Sequence, residues 1–311
     1  MIQEDKLIAA LQPSSAGFIG DDAAVLPVGM AKHPVVTKDL LVEDIHFRVN
    51  YFTPQDLAHK ALHVNLSDVA AMGATPSYIL CGIALPDHLH DYGERFFDSL
   101  VCACQKAGVT LIGGDTTASP DRLLISVTAI GFAPSLHLRY RHGAKDGDMV
   151  CVIGDLGCAH VGFVGLEQSQ GVSPPYTQRF LRPEAKVEEG IWLGKQPLVT
   201  SMMDMSDGLY IDLQRLASSA QKHAVLDMDL LSAHLMPEVS LSIAIEGGED
   251  YGLLVTMPQK IWKTYNHAFM GRFGYGMKHI GYITQGEGIS FRKGKKTIQW
   301  VPRHFTHFGE G

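Results

Sequence analysis

The sequence predicts an α/β (α+β) protein of two domains, and three observations support this. Strand-like and helix-like apolar runs alternate along the chain. The pattern lapses once, over 134–147, into Pro-Ser-Leu-His and then Arg-His-Gly-Ala-Lys-Asp-Gly-Asp, before a fresh strand begins. With 311 residues, 46% of them apolar, the chain is long enough to bury two cores. The expected division is 1–138 and 139–311.

The elements follow in order. An Ala-Ala-Val-Leu run after Gly20-Asp21-Asp22 reads as a short strand, and Pro34-Val35-Val36-Thr37 as another leading to Asp39. Thr53-Pro54 opens a helix, with threonine as cap and proline at its first position. That helix runs through Leu57, Ala61, Leu62, Val69 and Ala70 and stops at Gly73. Strands are expected over 79–85 and 123–130, with a helix over 92–107 that carries Phe96, Phe97 and Leu100. An apolar run over 109–112 precedes paired glycines. Beyond the lapse, a strand over 149–153 enters Gly154-Asp155-Leu156-Gly157, and Leu209, Leu213 and Leu216 mark an amphipathic helix.

Composition excludes several classes. Twenty-six basic against 33 acidic residues give a net charge of −7, too acidic for a general nucleic-acid binder. The densest basic cluster, Arg292-Lys293-Gly294-Lys295-Lys296, reads as a solvated turn. No apolar run is long enough for a membrane span, and the N-terminus does not resemble a secretion signal, so a cytoplasmic protein without membrane contact is expected. The five cysteines, Cys81, Cys102, Cys104, Cys151 and Cys158, read as buried free thiols, and none has zinc or redox spacing.

Five acidic motifs carry the chemistry: Gly20-Asp21-Asp22-Ala23-Ala24-Val25-Leu26, Asn65-Leu66-Ser67-Asp68, Gly113-Gly114-Asp115-Thr116, Asp204-Met205-Ser206-Asp207-Gly208 and Gly247-Gly248-Glu249-Asp250-Tyr251. Glycine lets a backbone approach phosphate closely, and aspartate offers oxygen to Mg²⁺. Five such motifs point to one acidic cleft holding several metal ions and a polyphosphate. Each motif has a plainer reading. Asp21-Asp22 suits a solvated turn, Asn65, Ser67 and Asp68 suit a local hydrogen-bond network, and Ser206-Asp207 suits a helix cap. Asp204 has no such role. Gly113-Gly114 after a strand would present backbone N–H groups to phosphate.

The ordered motifs resemble the thiamine-monophosphate kinase family over nearly the whole chain. The resemblance rests on Gly-Asp-Asp-Ala-Ala-Val-Leu, on Asp39-Leu-Leu-Val-Glu-Asp-Ile-His46-Phe47, and on Lys60-Ala-Leu-His-Val-Asn-Leu-Ser-Asp68-Val-Ala-Ala-Met-Gly-Ala74. Gly113-Gly-Asp-Thr-Thr117, Arg141-His-Gly-Ala-Lys-Asp-Gly-Asp148, Arg182-Pro183, Asp204-Met-Ser-Asp-Gly-Leu209 and Gly247-Gly-Glu-Asp-Tyr251 continue it. It implies the two-domain aminoimidazole ribonucleotide synthase-like fold, with an N-terminal ATP- and Mg-binding domain whose sheet pairs across a homodimer. The C-terminal α/β domain would complete the cleft.

The implied reaction is ATP-dependent phosphorylation of thiamine monophosphate to thiamine diphosphate. Carried over by motif, Asp22, Thr37, Asp39, Asp68, Asp115, Asp204 and Asp207 hold Mg²⁺, with Asp39, Asp68 and Asp207 the most important. Gly114, Asp115, Arg141 and Ser206 contact ATP. His46, Glu249 and the late aromatic Phe305 contact thiamine monophosphate. The acceptor phosphate has a second pKa near 6 and is already anionic at neutral pH. Direct in-line transfer therefore needs no general base, only neutralised charge.

Four departures from the family stand out. Lys38-Asp39-Leu40 replaces Thr-Asp-Thr, Gly252 replaces a glutamate, Gly157-Cys158 replaces Gly-Asp, and Lys186 stands where arginine is usual. Two rival readings stay open: a related ATP-dependent enzyme with another small-molecule substrate, and a non-catalytic nucleotide sensor, which Lys38 favours.

Overall fold

The computed structural model describes residues 21–26, 31–168 and 173–301. Gly20 and Phe305 lie outside the described residues. In chain order the elements are β1 (Ala24–Val25), β2 (His33–Val42), α1 (Pro54–Ala71), β3 (Thr75–Leu85), α2 (His90–Ala107), β4 (Thr110–Ala118) and β5 (Leu124–Ala133). There follow β6 (Asp148–Ile153), α3 (Cys158–Glu167), α4 (Pro174–Leu181), α5 (Val187–Gly194), β7 (Ser201–Met205) and α6 (Leu209–Ser219). The last are β8 (His223–Asp227), α7 (Met228–Ser232), α8 (Leu241–Glu246), β9 (Gly252–Pro258), α9 (Gln259–Phe273), β10 (Lys278–Thr284), β11 (Gly288–Lys293) and β12 (Lys296–Ile298).

Two mixed sheets organise these elements. The first runs β1-β2-β5-β3-β4, antiparallel except for the parallel β3–β4 pair. The second runs β12-β11-β8-β10-β6-β9-β7, antiparallel except for the parallel β8–β11 pair. The second sheet is covered on both faces. Leu213, Leu216 and Ile245 pack against Val150, Val152 and Leu254 on one side, while Leu193, Tyr265 and Phe269 pack against Cys151, Leu253 and Val255 on the other. Strands buried on both faces read as continuous apolar runs, as 149–153 does.

The first sheet is covered on one face only. Along β2, Val35, Thr37 and Leu41 are buried while Lys38 and Leu40 are exposed, the period-2 signature of a half-buried strand. Helices α1 and α2 cover the inner face. The outer face stays open, with Leu40 50% and Tyr78 41% exposed, and Ile112 on edge strand β4 51% exposed. Strand β4 pairs only with β3, so its outer backbone edge is also unpaired among the described residues.

Helix α1 forms as its sequence suggests. The Thr53 hydroxyl accepts from the Asp56 N–H while Asp56 accepts from the Thr53 N–H, a reciprocal capping box with Pro54 at the first position. The helix packs on β2, β3, β5 and α2 of the first half and on α4, α5 and β7 of the second. Its close approach to α5 is possible because residue 190 is glycine; a Cβ there would lie 2.3 Å from the Ala70 carbonyl oxygen. Surrounded in this way, α1 buries even Lys60, Asn65 and Ser67.

Three expectations need correction. Gly113, Gly114 and Asp115 lie within β4, not after it, because the parallel ladder with β3 carries the strand on to Ala118. Cys102 is exposed, since it lies on the solvent side of α2; the other four thiols are buried, and all five are free. The basic cluster is the expected solvated turn over Lys293 to Lys296, with Gly294 at φ +58, and only Arg292 departs from it, anchored by Asp227 and the Tyr282 hydroxyl. No helix of the described residues is long and apolar enough to cross a membrane.

Because the capping box starts the helix that touches both sheets, Thr53→Ala should cost about 1 kcal/mol. A thermal melt checks this: the midpoint should fall by about 1–2 °C.

Candidate active site

Three carboxylates from distant parts of the chain meet where α1 passes between the sheets. Asp22 precedes β1, Asp68 lies in the last turn of α1, and Asp204 lies near the end of β7. A ligand oxygen from each falls within 4.8 Å of the other two. Asp22 and Asp204 are buried, at 7% and 3% exposure. Fully ionised, each pair at such a distance would repel by roughly 3 kcal/mol at an effective dielectric of about 20. Burial lifts the Asp68 carboxyl well above the ordinary range, and the charges of Asp39 and Asp22 add to the effect. Burial also lifts Asp204, helped by Asp68, Asp22 and Asp212.

The protein offsets only part of this charge. Arg141 forks onto Asp22, with Nη2 donating to Oδ1 at 2.8 Å and Nε to Oδ2 at 3.2 Å. Burial opposes the guanidinium charge, but Asp22 more than compensates and Arg141 is held more firmly protonated than usual. The Arg141 N–H also donates to Asp21 at 2.7 Å, so the adjacent aspartates clasp the two ends of one arginine. The Thr37 hydroxyl donates to Asp68 Oδ2 at 2.5 Å. One arginine against three carboxylates leaves net negative charge among hard oxygen donors, a donor set that fits Mg²⁺.

Asp39 stands beside this cluster. Its N–H donates to Asn65 Oδ1 at 3.2 Å, and the Asn65 amide donates to the Ala61 carbonyl at 3.0 Å. Asn65 thus serves the local network read from the sequence, pinning β2 to α1. The Asp39 carboxyl is pushed up to about 6, first by burial and then by Glu249 and Asp207. Lys38 gives no relief. It follows strand parity onto the outer face and donates to the Ser126 hydroxyl.

Two loops of the second half complete the site. The Glu249 N–H donates to the Ser206 carbonyl at 2.7 Å and the Tyr251 N–H to Met205 at 2.9 Å, zipping 205–206 to 249–251. Ser206 and Asp207 are not the cap of α6. Gly208 holds that position at φ +112, and Asp212 reaches back to accept from the N–H groups of Asp207 and Gly208 at 3.1 and 3.0 Å. Arg215 pairs with Asp207. Asp250 accepts from the N–H groups of Gly157 and Ala159 at 2.5 and 3.0 Å, capping α3 from another loop. A capping carboxylate at 158 is therefore not needed, and Cys158 is buried there instead.

Glu249 adopts φ +74, a conformation rarely held without compensation. The compensation is Lys60, whose Nζ lies 2.5 Å from Glu249 Oε2 in an ion pair without hydrogen-bond alignment. Lys60 is fully buried on α1, 4.0 Å from the Phe180 ring centroid and 3.3 Å from the Phe180 carbonyl oxygen.

Beside these groups lies a cavity of about 620 Å³. Its acidic end carries Asp39, Asp68, Asp204, Ser206, Asp207 and Glu249. His46 faces it from the turn after β2, its Nδ1 accepting from the Val42 N–H at 3.0 Å, which leaves the ring proton on Nε2. The rest is apolar and aromatic, with His160, Phe163, Phe180, Ile45 and Ile243, plus the carboxylate of Glu246. Lys60, Glu246, His160 and Phe163 were not identified from the sequence. A lysine inside the apolar run 57–71 is a signal that points to Lys60; the other three carry no local mark.

Gly114 and Asp115 stand apart. Register aligns Asp39 with Val127, Cys81 and Gly114 across four strands, about 14 Å at ordinary strand spacing. Asp115 pairs with Gly82, on the outer-face line of Ser126 and Leu40. A Cβ at Gly114 would meet the Cys81 carbonyl oxygen at 1.8 Å, so this glycine serves strand packing. Residue 252 is equally constrained, since a Cβ there would lie 2.5 Å from the Ile153 carbonyl oxygen. Lys186 lies away from the acidic cavity, in a second pocket.

Comparison with known proteins places this geometry. Residues 20–133 match the family described as AIR synthase related protein, N-terminal domain. The thiamine-monophosphate kinase of Escherichia coli (strain K12) is 36% identical over 304 residues, covering 93% of this chain and 91% of that protein. The solved structure of AaThiL complexed with AMPPCP and TMP matches with a TM-score of 0.84 at 28% identity, over 99% of this chain and 97% of that one. The thiamine-monophosphate kinase from Stenotrophomonas maltophilia K279a matches with a TM-score of 0.76 at 31% identity, over 92% and 94%.

Two outcomes follow from the electrostatics. Asp204→Asn should raise the metal-free melting midpoint by removing buried repulsion, and should shrink the rise that saturating Mg²⁺ gives the native chain, about 2.7 kcal/mol at 100 times the dissociation constant. Differential scanning calorimetry with and without Mg²⁺ reads both. Lys60→Met should destabilise by about 3–5 kcal/mol by stranding Glu249. Adding Glu249→Gln should restore part of that loss, measured as a non-additive double-mutant cycle in denaturant.

Proposed function

The chain belongs to the thiamine-monophosphate kinase family and is an ATP-dependent kinase of thiamine monophosphate; we propose that it works by direct in-line transfer in the cavity between its two sheets. The observation that supports this placement is the Asp22, Asp68 and Asp204 cluster, supplied by both halves of the chain, of which Asp68 and Asp204 line one end of a cavity whose other end is largely apolar and aromatic. We read the two sheets as two domains, 1–138 and 139–311.

In this mechanism Asp22, Asp68 and Asp204 would hold Mg²⁺, with Asp39, Asp207 and the Thr37 hydroxyl beside them. Bound Mg²⁺ supplies charge neutralisation and alignment for an in-line displacement. Arg141, fixed by Asp21 and Asp22, presents its remaining N–H groups to the nucleotide phosphates. Ser206 contacts the same phosphates. His46 donates from Nε2 to the acceptor phosphate. Its anionic oxygen forms the new bond to the γ-phosphorus as the bond to the β–γ bridging oxygen breaks and ADP leaves. No base is required, because the acceptor phosphate is already anionic at neutral pH.

The apolar end suits the other half of the acceptor. Phe163, Phe180 and Ile243 exclude water, and Glu246 sets negative charge against a thiazolium cation, while Glu249, paired with Lys60, lies toward the phosphate end. Lys60 acts through Glu249 as a positioning residue. Phe305 remains a proposed contact of the thiamine ring outside the described residues.

We propose further that the protein is a cytoplasmic homodimer joined through the open face and β4 edge of the first sheet. This pairing would cover Leu40, Tyr78 and Ile112. Gly114 and Asp115 are nucleotide contacts only through such an assembly, because Asp115 lies on the outer face of its own sheet. The outward turn of Lys38 removes the feature that favoured a non-catalytic sensor.

Turnover with ATP and Mg²⁺ tests the reading. Thiamine monophosphate should yield thiamine diphosphate by chromatography, and Asp68→Asn should lower the rate by ~100-fold or more. Thiamine, which lacks the nucleophilic phosphate, should not be turned over. Comparable rates with thiamine would contradict direct transfer to a phosphate.

A further inference from the structure

A second cavity, of about 490 Å³, shares no lining residue with the acidic one. It is lined by Gly154 and Asp155 after β6, Arg179 of α4, Lys186 before α5, His234, and the segment 275–278 leading into β10. Three cations therefore converge on one carboxylate. Arg179 Nη2 lies 2.8 Å from Asp155 Oδ2 and Lys278 Nζ 2.7 Å from Oδ1. Burial opposes the charge of Asp155, yet the Lys278 hydrogen bond and the surrounding cations hold its carboxyl below the ordinary range.

The Lys186 carbonyl accepts from the Gly190 N–H at 2.8 Å, but its ammonium group makes no ion pair or hydrogen bond among the described residues, and its Cε lies against Gly154. Glu189, which is not a lining residue, accepts from the Tyr275 hydroxyl. The pocket thus carries an excess of two positive charges. An arginine has five donors and a lysine three, so most donors here are not used by Asp155.

We propose that this pocket binds a small phosphate-bearing anion, independently of the acidic cavity. Asp155 balances only one of the three cations in this concave site, and phosphate offers the oxygen acceptors that a guanidinium and two ammonium groups recognise. The volume admits more than a single phosphate, which fits a diphosphate or a phosphorylated metabolite. Asp155 keeps Arg179 and Lys278 apart from each other and in place before a ligand arrives.

The two cavities respond oppositely to metal, which makes the test selective. Without Mg²⁺ the acidic cavity repels polyanions, so binding in metal-stripped, low-salt buffer reports the basic pocket. Pyrophosphate titrated calorimetrically into the full chain should bind at one site per chain. Lys186→Gln and Arg179→Gln should each weaken it by about tenfold or more, with melting of Lys186→Gln unchanged. Exposed Lys263→Gln should not alter it. Parallel titrations with inorganic phosphate and ADP identify the preferred form, and tighter binding of ADP would assign the site to nucleotides. Absence of pyrophosphate binding at millimolar concentration, binding indifferent to both pocket substitutions, or equal weakening by Lys263→Gln would overturn the proposal.

Discussion

Repulsion among buried carboxylates is the constraint on which the rest of the site depends. Asp22, Asp68 and Asp204 converge in a place where one arginine and one hydroxyl partly offset their charge. Burial like this is costly unless a cation completes it. The surrounding architecture serves to hold the carboxylates together. Helix α1 is capped at its start, packed on both sheets and pinned to β2 through Asn65. The loops from the second half are zipped to each other by backbone bonds and anchored to α1 by Lys60 and Glu249.

This arrangement divides labour along one cavity. The acidic end suits phosphoryl groups carried with Mg²⁺, and the aromatic end suits an organic cation. Since the acceptor is itself a phosphate, the protein's task is to neutralise charge and align groups. A positioned general base has no part in that task. The strained backbone at Glu249, φ +74, is tolerated because a buried lysine fixes its side chain.

Much of this was legible in the sequence, and the rest fails for identifiable reasons. Thr53-Pro54 announced α1 because capping is local chemistry. Asp68 and Asp204 stood out because carboxylates inside apolar runs need a reason to be there. The facing of Lys38 stayed open in the sequence and is settled by strand parity with Val35, Thr37 and Leu41, which turns it away from Asp39. By contrast, the place of Asp115 depends on register across four strands, and the Lys60–Glu249 and Asp250–Gly157 contacts join residues more than ninety positions apart. No local pattern encodes such meetings. Ser206 and Asp207 do not cap α6, because Gly208 holds the cap position and Asp212, one turn inside the helix, reaches back to accept from the N–H groups of Asp207 and Gly208.

The most direct measurement of the central claim is the number of divalent ions bound per chain. Electron paramagnetic resonance titration with Mn²⁺, with and without a non-hydrolysable ATP analogue, reads it. The account predicts more than one ion per chain when nucleotide is present, and loss of ions from Asp22→Asn and Asp204→Asn chains. Nucleotide bound with no associated Mn²⁺, or stoichiometry unchanged in both variants, would contradict it.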